Sequence, residues 1–252
     1  MKVILIDAGN TTIDCRFFQQ QTKKIKKGLR VLTNDFLAMT PRDFLDKLAI
    51  TTPEPVFLAY SSVVPNFNQW LTDLPRWVNV FNIRDSSLIN NKDFDFDWER
   101  LGSDFLAMFY AREWTNAVLI NCGTASTISF ISQGKFQGTI ITPGVTIGLE
   151  ALINKAALLT PGAYKWETAL FGQNTQVSLG IGCVNGHYEM LKSLATKQMT
   201  IKSEIVFTGG NAILFQPGWT QDGFEYQEDL IFAGLIYLSQ SALKIANNKI
   251  KN

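Results

Sequence analysis

The chain opens with an apolar run, VILI, that stops on Asp7 and turns on Gly9, Asn10, Thr11 and Thr12. KVILID has the character of a buried strand, and TIDCRFF of its hairpin partner across the Gly-Asn turn. The apolar, β-branched run PVFLAYSSVVP is bounded by prolines and predicts another strand. GSDFLAMFYAREW has helical spacing, with Ser103 or Asp104 near its cap. Strand patterning returns at AVLINCG, STISFIS and FQGTIITPG, a three-stranded meander whose last two members join at QGK. Helical spacing follows in TIGLEALINKAALL, GIGCVNGHYEMLKSLATK and EDLIFAGLIYLSQSALKIANN, while EIVFTGG reads as a strand ending on a glycine pair.

AVLINCGTASTISF repeats the opening design, with Asn121 where the first copy has Asp7. Two halves are therefore expected, 1–115 and 116–252, each opening strand, polar turn, strand. Glycine lets a backbone approach a ligand closely. The amides around Asn10, Thr11 and Thr12 are donors suited to phosphate oxygens. Asp7 is placed to hold magnesium, through waters because that ion dehydrates reluctantly. Gly123, Thr124, Ala125 and Ser126 supply a second donor-rich turn, and two such turns facing each other would grip a polyphosphate. Gly209 and Gly210 in FTGGN offer a platform free of side chains for a flat adenine. Each turn alone fits an ordinary hairpin equally well, and FTGGN fits a plain tight turn. Neither GxxxxGK[ST] nor GxGxxG occurs.

Composition narrows the chemistry. The 252 residues are 46% hydrophobic and 18% charged, ordinary for a globular protein. A formal charge of +1 gives no reason to expect nucleic acid or an anionic membrane as partner. Cys15, Cys122 and Cys183 form neither a disulfide framework nor a zinc pattern, which favours a reducing compartment. MKVILIDAGN does not have the form of a signal peptide, and no apolar run approaching about 18 residues stands out. A cytoplasmic protein is expected. His187 is the single histidine, which excludes multi-histidine metal sites, and it reads as structural or solvated. The densest charged stretch, NNKDFDFDWERLGSD, runs directly into LGSD and is a candidate rim of a site.

Taken in order, IDAGNTTID, YSSVVP, LGSD, INCGTAST, GTIITPGVTIGLEALINKAALL, NTQVSLGIG, FTGGN and LIFAGL resemble the type III pantothenate kinases. That family lies within the acetate and sugar kinase, Hsp70 and actin superfamily, and the resemblance spans nearly the whole chain. It implies an α/β protein with a duplicated ribonuclease H-like (actin-like ATPase) fold, each half a mixed sheet flanked by helices. It implies a homodimer that phosphorylates pantothenate to 4′-phosphopantothenate with ATP, using Mg2+ and a monovalent cation, K+ or NH4+. Asp7 to Asp14 match the first phosphate loop, which covers Gly9, Asn10, Thr11 and Thr12. Gly123 and Thr124 match the second phosphate loop, and Gly209 and Gly210 the adenosine motif. Gly102, Ser103, Asp104 and Phe105 match the pantothenate-binding segment, with Asp104 on the proton acceptor and Asp7 the other acid of the reaction. Thr175 matches a substrate-binding threonine. Asn121 falls where the family holds its monovalent cation with an aspartate.

Two departures stand out. Phe105 replaces an arginine, removing a fork of donors suited to carboxylate or phosphate. Ungapped counting also lands on Asp95 where an aromatic is usual, with Phe94 and Phe96 beside it. Two other readings stay open: a non-catalytic nucleotide-binding relative with a regulatory role, and a kinase of the same fold acting on another small alcohol. Retention of both Asp7 and Asp104 favours the enzyme.

Overall fold

A computed structural model describes residues 1–51, 54–197 and 202–251. In unit one, β1 (Lys2–Ala8) and β2 (Thr12–Gln19) form the expected hairpin, and β3 (Lys24–Leu32) extends it along the sheet edge. Helices α1 (Thr33–Ala38) and α2 (Pro41–Lys47) follow, the latter closed by a reciprocal Thr40–Asp43 capping box. The remaining elements before the first crossing are β4 (Val56–Ser62), α3 (Phe67–Thr72), β5 (Val78–Asn82) and α4 (Ser103–Phe109). The sheet order is β3-β2-β1-β4-β5, antiparallel on the β2 side of β1 and parallel on the β4 side.

Period-2 alternation sorts the β1 side chains between two faces. Ile4, Ile6 and Ala8, with Ile13, Cys15, Leu58 and Tyr60, pack against Phe36, Phe44, Phe67 and Trp70 from α1, α2 and α3. Leu5, Ala59 and Phe57 lie on the opposite face, together with Asp7 and Ser61. The polar site thus grows from the second face of an otherwise buried strand.

Unit two repeats the plan. Strands β6 (Ala117–Cys122), β7 (Ala125–Ser132) and β8 (Lys135–Pro143) are the predicted meander. Gln133 and Gly134 both take positive φ at its second turn, which matches the right-handed strand twist. Next come α5 (Val145–Lys155), α6 (Thr175–Leu179), α7 (Gly186–Lys197), β9 (Glu204–Thr208), α8 (Gln216–Gln221) and the short β10 (Glu225–Tyr226). A π-helical stretch, Gly180–Asn185, joins α6 to α7. The sheet order is β10-β9-β6-β7-β8, which matches unit one strand for strand, in direction as well as in position.

The last helix, α9 (Leu230–Lys251), belongs to unit one. The compact units are Met1–Glu113 with Asp229–Asn252, and Trp114–Glu228, so a linear split at 115 assigns α9 differently. Its apolar stripe covers the β1 and β4 face and packs on α4, where a Cβ on Gly234 would run into the Ala107 carbonyl. Arg16, buried on β2, pairs with Asp229 just before the helix and lies over the Phe232 ring, 4.2 Å from its centroid.

One expectation is corrected here. Among the described residues, Leu230–Lys249 is long and apolar enough to cross a membrane by length and composition. Scattered Ser, Gln and Lys residues break its apolar run and hide that length in the sequence. Half of the span is buried inside unit one, including Leu230, Phe232, Leu235 and Leu238, as in a core helix.

Candidate active site

In unit one, Asp7 faces Asp14 across the hairpin and Ser61 across the parallel pair, while Asp14 faces Arg30 on β3. Directly opposed residues share a sheet face, so Arg30, Asp14, Asp7 and Ser61 form one polar row. The Asp7 carboxyl is pushed up to about 7, first by burial and then by the charges of Asp104 and Asp14, against a smaller pull from Arg30 and Arg16. Asp104 is raised by burial, and the backbone amides of Phe105 and Asp104 offset part of that rise. Its Oδ1 is buried without a hydrogen-bond partner.

The LGSD segment explains why these acids meet. Ser103, 1% exposed, is a pin. Its hydroxyl accepts from the Ser62 amide at 2.8 Å, donates to the Ser62 carbonyl at 2.9 Å and contacts Ser61 Oγ at 2.9 Å. These bonds fasten the start of α4 to the end of β4. The N-cap is Gly102, without a side-chain bond, so Asp104 is the second helical residue and the cap placed at Ser103 or Asp104 shifts back. A Cβ on Gly102 would stand 2.5 Å from Asp104 Oδ1, so the glycine makes room for the carboxylate. Phe105 is buried beneath it, an apolar floor where a charged side chain would be costly.

The first turn is tightly tied. Gly9 donates its amide to the Thr12 carbonyl at 3.1 Å, while Thr33 returns to the Thr11 carbonyl at 3.0 Å and, through its hydroxyl, to the Gly9 carbonyl at 2.6 Å. Asn10 and Thr11 stay exposed.

In unit two, the equivalent row is Ile141, Thr127, Asn121 and Thr208. Gly123 closes the second turn on the Ala125 carbonyl at 3.0 Å. Two residues outside the sequence assignment support it: Gly144 donates to the Thr124 carbonyl at 2.9 Å, and Asn211 Nδ2 donates to the Gly123 carbonyl at 3.1 Å. A Cβ on Gly144 would collide with both turn carbonyls. Gly209 has φ +90°, and a Cβ there would stand 2.5 Å from Asn121 Oδ1, so this glycine is required by backbone and space together. Gly210 is exposed. Thr127 Oγ1, beside Asn121, is buried and has no hydrogen-bond partner. Thr175 is exposed at the start of α6, whose cap is Asn174. His187 contacts Ser126 Oγ at 2.8 Å and stacks on Phe215, and its pKa is lowered by burial.

A model of the family described as type III pantothenate kinase matches residues 3–197. The chain belongs to this family. A type III pantothenate kinase of Kosmotoga olearia is 31% identical over 167 residues, 62% of this chain and 61% of that relative. One from Listeria monocytogenes is 29% identical over 227 residues, 83% of this chain and 86% of the relative. Solved structures share the fold. A protein from Campylobacter jejuni described as a Baf family transcriptional activator aligns with TM-score 0.62 at 22% identity, covering 96% of this chain and 99% of its own. A Sinorhizobium meliloti protein described as a 2-dehydro-3-deoxygalactonokinase aligns with TM-score 0.58 at 9% identity, covering 95% and 99%. Two mixed five-stranded sheets flanked by helices place the chain in the actin-like ATPase and sugar kinase fold.

Arg30, Gly144 and Asn211 are the site-building residues that sequence reasoning missed. Gly144 and Asn211 lie within GTIITPGVTIGLEALINKAALL and FTGGN, but their bonds to the second turn, like the register of Arg30, show only in three dimensions.

Proposed function

We propose a division of labour in which Asp104 accepts the proton of the substrate hydroxyl and Asp7 faces the cation of the nucleotide. Family membership makes the chain a pantothenate kinase, a phosphotransferase of coenzyme A biosynthesis. Phosphoryl transfer needs mainly positioning, charge neutralisation and a carboxylate to take the alcohol's proton. The observation that carries the assignment is the buried, partnerless Asp104 Oδ1. Burial raises the Asp104 pKa, and a raised pKa strengthens a carboxylate as a base.

Asp7 fits a magnesium site in chemistry: a partly accessible carboxylate crowded by Asp14 and Asp104, whose repulsion a cation relieves. Magnesium typically takes one or two carboxylates plus phosphates and waters. Bound there it would neutralise phosphate charge. Gly9, Asn10, Thr11 and Thr12 then serve the phosphates from the first turn, and Gly123 with Thr124 from the second. Gly209 and Gly210 carry the adenosine, while Gly102 and Thr175 bound the pantothenate. Ser103 and Phe105 act beneath them, as pin and floor. A monovalent cation would find the Asn121 amide oxygen and the partnerless Thr127 hydroxyl, neutral donors both.

A homodimer is part of the same reading. Ile147 and Leu152 on α5, with Ile141, Leu158, Leu170 and Phe171, are large apolar side chains exposed in unit two, Leu158 and Leu170 being 94% and 93% exposed, and a partner copy would cover them. We place the reaction in the cytoplasm, where ATP is supplied and the free thiols of Cys15, Cys122 and Cys183 stay reduced.

The test is ADP release from ATP with pantothenate as acceptor, magnesium and potassium present, beside a panel of other small alcohols. Product with pantothenate alone supports the reading. Turnover only with another alcohol would move the substrate, and nucleotide binding without turnover would make the chain a regulatory relative.

A further inference from the structure

The phosphate end of a nucleotide brings negative charge to a row that already holds Asp7 and Asp14, with Asp104 nearby. A cation of the protein placed on this row would answer that charge beside the magnesium. Two guanidinium groups act on Asp7, those of Arg30 and Arg16. Arg16 is committed: it is 5% exposed, its Nη2 pairs with Asp14 at 3.0 Å and its Nη1 with Asp229. Arg30 is exposed and, among the described residues, makes no hydrogen bond or ion pair.

Position adds a second argument. Arg30 faces Asp14 in register, on the sheet face that carries Asp7. The strand ends two residues later at Leu32, and the next residue, Thr33, has its amide and hydroxyl bonded to the Thr11 and Gly9 carbonyls of the first turn. The guanidinium is therefore carried on a strand fastened to the turn.

We propose that Arg30 binds the terminal phosphates of the nucleoside triphosphate, supplying the protein cation of the first turn. The inference rests on the kinase reading above and deepens it. A guanidinium presents a fork of donors matched to phosphate oxygens. The competing explanation is edge protection, since Lys24, Lys26 and Lys27 on β3 guard an open sheet edge. That explanation makes the strand's cations interchangeable, whereas phosphate binding makes Arg30 unlike the others.

The experiment compares the parent with Arg30→Gln, Arg30→Lys and Lys24→Gln, after thermal melts confirm folding. Calorimetry with ATP and with AMP is run on each, together with ATP-dependent kinetics at saturating pantothenate. Charge-assisted bonds of this kind predict that Arg30→Gln weakens ATP binding about 10- to 100-fold. AMP binding and the KM for pantothenate should stay unchanged, Arg30→Lys should recover part of the loss, and Lys24→Gln should match the parent. ATP affinity within about twofold of the parent in Arg30→Gln, or an equal loss in Lys24→Gln, overturns the proposal. Should Arg30→Gln fail to fold, full ATP affinity in Arg30→Lys overturns it and an ATP-specific loss there sustains it. A parent that binds ATP but leaves pantothenate untouched would remove the substrate reading and leave the ATP and AMP comparison intact.

Discussion

Two equivalent rows of side chains cross the two sheets, and they differ in charge while sharing a backbone plan. Arg30, Asp14, Asp7 and Ser61 cross unit one; Ile141, Thr127, Asn121 and Thr208 cross unit two. Every ion in the first row has a neutral counterpart in the second. The first turn can therefore act through charge, whereas the second acts through shape, held by Gly144, Asn211 and the left-handed Gly209. A duplicated fold needs its reactive electrostatics only once. Repeating them would add repulsion around a polyphosphate without adding a reaction.

Removing charge from the first copy should do the most damage. Asp104→Asn is expected to lower kcat by about 100- to 10,000-fold, the usual contribution of a general base, with ATP affinity near that of the parent. Turnover within a few-fold of the parent would take Asp104 out of the chemistry. Asp7→Ala should cost about 100-fold or more, because several kcal/mol of metal-assisted charge stabilisation would be lost. Magnesium titrations of rate that superimpose for mutant and parent would reduce the first turn to a hairpin.

Adding charge to the second copy tests the other side. Asn121→Asp should tighten potassium activation roughly 10- to 100-fold, equivalent to about 1.4–2.8 kcal/mol. A parent that already saturates at low potassium, unchanged by the acid, would show that the neutral row binds its cation unaided. Shape is tested by Gly144→Ala, whose Cβ would meet the Gly123 and Thr124 carbonyls. We expect about 1–3 kcal/mol of lost stability, read by denaturant unfolding, and weaker ATP binding with pantothenate affinity intact.

A separate effect is on pH. The folded Asp7 pKa of about 7 exceeds the ordinary 3.8, so the folded chain holds this proton where the unfolded chain has released it. Stability without nucleotide should therefore fall as pH rises from about 4 to about 7 and level off above, through this group. Asp7→Asn should flatten that slope, as measured by urea midpoints across the range.

Much of this contrast was legible from sequence. The hairpin of β1 and β2 and the meander of β6, β7 and β8 announce themselves through apolar periodicity ending on small polar turns. Strand β3 did not, because lysines fill most of its edge positions and Gly28 interrupts it; Arg30 was missed with it. β5 and β10 are short edge strands with little apolar signal. Asp104 was found through LGSD, but the reason for that motif is three-dimensional. Ser103 reaches 41 residues back to Ser62, and Gly102 yields space to a side chain two positions on. The apolar length of α9 was hidden by Ser239, Gln240, Ser241 and Lys244, of which Ser239 is itself buried.

The return of α9 to unit one also sets an order of maturation. The segment that covers the Leu5, Phe57 and Ala59 face leaves the ribosome after all of unit two. Unit two, contiguous from Trp114 to Glu228, has its whole chain available earlier. During synthesis unit two can close before α9 emerges, whereas the half bearing Asp7 and Asp104 waits for that helix. Arg16 meets Asp229 only then. A chain clipped at Glu228 would keep every residue assigned to phosphate or substrate and still lack the wall behind them. Helix α9 is in this sense a signal that translation has passed unit two.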